Sequence, residues 1–493
     1  MSSTSQLATG APQTELAPLP PNRRMRPREV ARFLRYLPTK DLLKALSSLP
    51  GDSGLAWIGA AGPPVAFIRD PEHARQVLVT NQDNYVKGND YQILAVLLGK
   101  GLLTNFDLEH WQRQRKLVQP LFAKRHLSPM AASMIDGADT WLDGVAPDAL
   151  AARTIDVNSA MMALTLDVVC RALFGTRIDA ATTRTVGRSM DTLLRAAQAN
   201  FKLAGVYDVM ETAPRITFAG LLKMRRVHWN RAMKAKAEMD RIVYGLIDHR
   251  LANPDPNASD LLSLLLNARD EDDHAADGMD REQVRDEVMT FLGAGHETTA
   301  NALTWLWFAL SKNPEARRRM EQEVDEVLGG RMPVYEDAER LPWTNACLQE
   351  AMRLYPPVPA FTRVAAGSDE IDGLPIERGA DVVIAPYLLH RNPRLWSNPE
   401  GFDPERFMPG GEATVSGRPR LAFMPFGGGR RICVGQGFAV LEGVLMAAMI
   451  AQRVRFDLVP GTQVRNDVAI TLRPRDGMPM TVRARADAPT LVR

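Results

Sequence analysis

A chain of 493 residues with formal charge +2, 45% hydrophobic and 24% charged residues has the make-up of a soluble globular enzyme. It lacks the one-signed charge that nucleic-acid binding requires. Three cysteines, Cys170, Cys347 and Cys433, exclude a disulfide framework and point to a reducing compartment, so a cytoplasmic protein is expected.

Residues 1–22 are polar and Pro-rich, without the apolar run that a signal peptide or a membrane span requires. We expect a flexible tail over 1–28 and one large domain over 29–493. The Arg-rich stretch from Arg23 reads as a tail entering a docked first helix, with contact at a membrane surface as the alternative. "LAWIGAAGPPVAFIRDP" reads as two short strands about a Gly-Pro turn, after which Asp70 caps a helix. Helical spacing dominates from Asp139 to Leu251, and the acidic stretch 268–280 reads as a solvated loop.

The longest helical signal begins at a capping box, Asp280 with Gln283, and runs to Pro314. About thirty residues at ~1.5 Å each span roughly 45–50 Å, the width of a domain. From Val288 this segment is apolar nearly all round, which predicts a central buried helix. Within it, "AGHETT" (Ala294–Thr299) combines a weak helix former with hydroxyls that bond back to carbonyls, so a local opening of the helix is expected. A further helix ends at the proline pair of "LQEAMRLYPP", and short strands with Asp-Gly and Arg-Gly turns follow. The fold class is mainly α with a minor β part, built round the long central helix.

In "FMPFGGGRRICVGQG" (Phe423–Gly437) Cys433 stands just before an apolar helix, with Arg430 and Arg431 close by in sequence. The helix dipole and both arginines favour a thiolate there. Three readings stay open on this loop alone: a Gly-rich turn with a buried cysteine, an anion-cradling loop, and a thiolate ligand to iron with arginine reaching haem propionates.

Phe426, Gly429, Arg431, Cys433 and Gly435 fall at the spacing F-x-x-G-x-R-x-C-x-G, and Ala439 and Glu442 continue it. This resembles the haem-ligand signature of the cytochrome P-450 family, and the resemblance extends from about residue 50 to the end. It implies the P-450 fold, haem b, Cys433 as axial thiolate to iron, and Phe426, Gly427, Arg431 and Gly435 about the cofactor. The A-G-x-E-T-T segment resembles the family's oxygen pocket, which implies Ala294 beside the haem, Thr298 meeting bound dioxygen and Glu297 relaying protons. "EAMR" and "FDPERF" resemble the family's structural network and imply that Glu350, Arg353 and Arg406 brace the cysteine loop. Trp111 and Arg115 match W-x-x-x-R and, with Arg363 and Lys87, are implied as propionate contacts. For Lys87 taken by itself, a solvated surface lysine is the preferred reading.

The activity implied is monooxygenation of a hydrophobic substrate by O2. Electrons would originate in NAD(P)H and arrive through a ferredoxin and its reductase, with Arg113, Lys116 and Lys124 as docking points on a monomer. The apolar residues Leu102, Leu103, Phe291, Leu292, Val358, Ala360, Phe361, Ala469 and Ile470 are expected to border the substrate, although each also suits a core position. A fatty acid, terpene, steroid or polyketide fits that border equally. The alternatives are a peroxide-using haem-thiolate hydroxylase or isomerase, and a non-catalytic haem sensor.

Overall fold

The computed structural model describes residues 23–36, 42–49, 55–58, 65–88, 91–175, 180–210, 218–255, 258–269, 278–468 and 470–490. The tail to residue 22, the heart of the acidic loop and Ala469 lie outside them. The chain is mainly helical, as its periodicity predicts, and the described strands form one six-stranded, one three-stranded and two two-stranded sheets.

Helix Arg281–Lys312 runs through the core. Asp280 Oδ1 accepts from Gln283 N at 2.8 Å and Gln283 Oε1 accepts from Asp280 N at 3.0 Å, so both halves of the capping box form. Thirty-two residues span about 48 Å. Along this helix packs Val157–Phe174, long and apolar enough to cross a membrane but largely buried here. Thr165 Oγ1 joins the two by donating to His296 O at 2.9 Å. The helix Gln436–Arg453, which follows the cysteine loop, packs on the central helix and on Pro342–Leu354.

No interruption occurs at "AGHETT". Thr298 and Thr299 donate back to Ala294 O (2.8 Å) and Gly295 O (3.2 Å), yet the helix is continuous. The expected opening is therefore corrected: small side chains at Ala294 and Gly295, not unwinding, make room beside the helix.

The main sheet has six strands in the order Arg23–Arg24, Leu55–Ile58, Val65–Ile68, Asp381–Ile384, Phe361–Ala365 and Tyr85–Lys87. Leu55–Ile58 and Val65–Ile68 form the expected antiparallel pair, and Asp70 caps Pro71–Arg75 by accepting from Glu72 N at 2.8 Å. The first helix, Pro27–Tyr36, docks on this sheet through Phe33, whose ring meets Phe67 edge-on at 5.3 Å. Asp372 and Gly373 both take positive φ (51° and 77°) and close the hairpin Asp369–Ile371/Leu374–Ile376, as an Asp-Gly pair does.

Candidate active site

The central helix, the cysteine loop, the segment 99–104 and the edge of the sheet enclose a cavity of about 320 Å³. Cys433 opens onto it from the loop between Phe423 and the helix Gln436–Arg453. Cys433 N donates to Phe426 O at 3.0 Å, which closes the loop under the thiol. Gly429, at φ +68°, lies so close to Leu78 that a Cβ there would meet Leu78 O at 1.7 Å. Only glycine permits that approach.

The Cys433 side chain is accessible, but from within the cavity rather than from the outer surface. Deep placement pushes the thiol up, while the Gly435 N–H and the Arg115 guanidinium pull it down. This corrects the expectation that Arg430 and Arg431 activate the sulfur. Arg430 instead pairs with Asp83 and donates to Gln82 O at 3.0 Å. Arg431 lies with its guanidinium 4.3 Å from the Trp111 ring and donates to Asn105 O at 3.4 Å.

Four cations line the cavity, Lys87, Arg115, Arg363 and Arg431, and no carboxylate does so among the described residues. Burial pushes Arg431 down to about 10, and Arg363 and Arg430 add to the shift. Arg115 Nη1 donates to Ile432 O at 2.8 Å. Lys87 corrects the surface reading: it is 7% exposed, and its ammonium donates to Leu103 O and sits 3.9 Å over the Tyr91 ring. The cause is register. Tyr85–Lys87 pairs antiparallel with Phe361–Ala365, and Lys87 stands directly opposite Arg363. Like charges directly opposite repel unless an anion lies beside them. A flat cofactor carrying two carboxylates fits this cradle, and Cys433 supplies the single thiol on the same cavity.

The other wall is apolar. Leu102, Leu103, Phe291, Ala294, Val358 and Phe361 line it, as does Thr298. Leu292 does not, being fully buried in the core, and Ala360 and Ile470 pack elsewhere. Glu297 is also off the wall: its Oε1 accepts from Thr471 Oγ1 at 2.6 Å. Helix geometry explains the split. Phe291, Ala294, Gly295, Thr298 and Ala302 recur at three and four residues and centre the lining face, Thr290 and Thr299 lie at its margins, and Leu292 and Glu297 fall just beyond them. Sequence reading missed Phe122, Val169, Leu173, Thr299 and Met352 on the wall. The helical wheel contained the signal for Thr299; nothing local marked the others.

Behind the cysteine loop, Arg353 Nε and Nη2 donate to Glu350 Oε2 (2.7 Å) and Oε1 (2.8 Å), with both side chains fully buried. Arg406 Nε lies 3.4 Å from Glu350 Oε1, and Asp403 N donates to the same oxygen at 2.9 Å. The three side chains do converge, but among the described residues none hydrogen-bonds residues 423–437; their link to that loop is His390. Burial pushes the Glu350 carboxyl up, and Arg353 pulls it back. Glu442, fully buried on the helix after the cysteine, has no well-formed hydrogen bond to either oxygen. Its burial pushes it up to about 8, with the nearby Thr299 hydroxyl acting the other way.

A second cleft lies on the outer surface between Pro314–Glu326 and Arg455, Arg485 and Asp487. Its charges satisfy one another, as in Arg455–Glu321 and Arg485–Asp325, both at 2.7 Å, and it holds no nucleophile.

The sequence pattern of the Cytochrome P450 family matches residues 54–477. The putative cytochrome P450 132 of Mycobacterium tuberculosis is 38% identical over 449 residues, which cover 88% of this chain and 91% of that protein. Cyclooctatin synthase of Streptomyces melanosporofaciens is 36% identical over 86% of this chain and 87% of its own length. The carotene epsilon-monooxygenase of Arabidopsis thaliana is 31% identical over 86% of this chain and 79% of its own length. With these likenesses spanning the thiol cavity, its cations and the helix beside it, the chain belongs to the cytochrome P450 family of haem-containing monooxygenases.

Proposed function

We propose that the cavity holds haem b, whose iron Cys433 Sγ would bind, and that the enzyme inserts one atom of O2 into a hydrophobic organic substrate. One observation carries the reading: a lone thiol and four cations, without a carboxylate, share a cavity whose opposite wall is apolar. Bound there, haem supplies activation of dioxygen, which a thiolate ligand favours by pushing electron density toward O–O cleavage.

The chain's own residues supply the rest. Arg431, Arg115, Arg363 and Lys87 offer charge to the propionates, and Trp111 packs under Arg431. Phe426, Gly427 and Gly435 border the thiol side. Thr298 Oγ1, whose proton is given to Ala294 O, turns an acceptor toward the cavity and can hold a water there. Glu297, one residue earlier and accepting from Thr471 Oγ1, is assigned the proton relay behind the wall.

For the substrate, the central helix and Val157–Phe174 contribute Val169, Leu173, Phe291 and Ala294 to the wall and no cation. Two relatives are named for cyclooctatin and carotene, and neither name is that of an acid. We therefore favour a neutral, terpene-like substrate over a fatty acid. Electrons come from NAD(P)H through a ferredoxin and its reductase, to a monomer working in the cytoplasm. Lys124, exposed but paired with Glu339 at 3.1 Å, and Arg113 and Lys116 mark the docking face. The test is turnover of terpene alcohols or hydrocarbons with a ferredoxin, its reductase and NADPH. Turnover with peroxide alone would favour the peroxide-using alternative.

A further inference from the structure

Gly99–Thr104 lies flat across the central helix. A Cβ on Gly99 (φ +96°) would meet Asp286 Oδ1 at 2.0 Å, and one on Gly101 would meet Thr290 Oγ1 at 2.2 Å. With the backbone this close, helix carboxylates reach its N–H groups. Lys100 N donates to Asp286 Oδ2 at 2.6 Å, and Leu102 N donates to both oxygens of Glu287, each at 3.1 Å.

The two carboxylates differ. Asp286 has a cation, Arg285, whose Nη1 donates to it at 2.7 Å. Glu287 is fully buried and has no ion pair among the described residues. Burial pushes it up to about 8, so it is mostly neutral at pH 7. A buried acid without a counter-ion costs stability, and the Leu102 N–H is its hydrogen-bond donor.

The carbonyls of the same segment are held from the other side. Trp111 Nε1 donates to Leu102 O at 3.2 Å, and Lys87 Nζ donates to Leu103 O. Lys87 belongs to the cationic cradle, Trp111 packs under another of its members, Arg431, and Leu102 and Leu103 both line the cavity. One short backbone segment is thus pinned to the central helix at its N–H and to the cradle at its carbonyls.

We propose that Glu287 is a positioning residue for the substrate wall, fixing the Leu102 backbone so that Leu102 and Leu103 present a rigid surface to the substrate. The inference rests on the haem reading above. It requires an acceptor at Glu287 Oε, not a charge. Gln must therefore replace Glu287, whereas an apolar side chain of similar length must not.

The test uses ferric holoenzyme and two azoles that ligate haem iron and shift its absorption: imidazole, too small to need the wall, and 4-phenylimidazole, which presses on it. Wild type, Glu287→Gln and Glu287→Met are titrated with each. Glu287→Gln should keep both dissociation constants within about twofold of wild type. Glu287→Met should leave imidazole within about twofold but weaken 4-phenylimidazole by about tenfold, roughly 1.4 kcal/mol. If Glu287→Met does not fold, Glu287→Asp, which withdraws the acceptor by one methylene, should lower the 4-phenylimidazole preference by at least threefold. An unchanged preference in Glu287→Met (or, failing that, in Glu287→Asp) would reduce Glu287 to a stabilising role, whatever its effect on melting. A Gln variant that behaves like Met would equally overturn the proposal. Failure of the haem reading is read separately, as absence of a thiolate-type spectrum in wild type.

Discussion

The ring of His390 accepts a hydrogen bond from the backbone N–H of Met424, Nε2 to N, at 2.9 Å. The carbonyl of the same residue accepts from Arg353 Nη1 at 2.7 Å. His390 thereby ties the buried Glu350–Arg353 pair to the start of the cysteine loop, while Phe423 packs against its ring at 5.1 Å. Since Nε2 accepts, the proton sits on Nδ1, and the ring is neutral.

His390→Gln keeps an acceptor near the Nε2 position and should retain full haem loading. His390→Leu removes it, leaves Met424 N without a partner, and should cost about 1–3 kcal/mol in denaturant unfolding. Burial, then Arg353 and Arg391, hold His390 down to about 3 from an ordinary 6.5. Its contribution is therefore present above pH 6.5 and is lost as pH falls toward 3. The Gln variant should lose less stability than wild type across that window.

Glu350→Gln strips the charge from a fully buried pair and leaves Arg353 without its counter-ion. Breaking such a pair costs about 3–5 kcal/mol. Urea unfolding should show that loss, with a parallel fall in haem bound per chain.

Glu442→Gln should do the reverse. The unfolded chain releases this proton near 4.5, but the folded chain holds it to about 8. Wild-type stability attributable to Glu442 thus falls as pH rises from 4.5 through 8, and glutamine escapes that loss. The variant should gain roughly 3 kcal/mol at pH 7 and nothing at pH 4. Thermal unfolding at several pH values checks this; a gap that does not widen with pH would contradict it.

Thr298→Ala should retain the haem spectrum while cutting product formed per NADPH severalfold, as measured by parallel NADPH and product assays. Glu297→Gln should have the smaller effect, since only Thr298 reaches the cavity. Equal coupling in Thr298→Ala and wild type would remove Thr298 from proton delivery.

Much of this arrangement was legible in one dimension because it depends on fixed local spacing. The capping box at Asp280, the Glu350–Arg353 pair one helical turn apart, and the Trp111–Arg115 step all lie within single helices. Lys87 was legible only through the family resemblance: nothing in its own stretch shows that pairing with a strand more than 270 residues away turns it inward opposite Arg363. Val169, Leu173 and Phe122 are likewise ordinary apolar residues whose place on the wall is decided by how helices pack.

The central claim, a thiolate from Cys433 on haem iron, is tested most directly by the absorption spectrum of the reduced, carbon-monoxide-bound protein beside its Cys433→Ala variant. The account predicts a strongly red-shifted Soret band in wild type that is lost in the variant. A band at the position of ordinary haem proteins in wild type, or a red-shifted band that survives in Cys433→Ala, would contradict it.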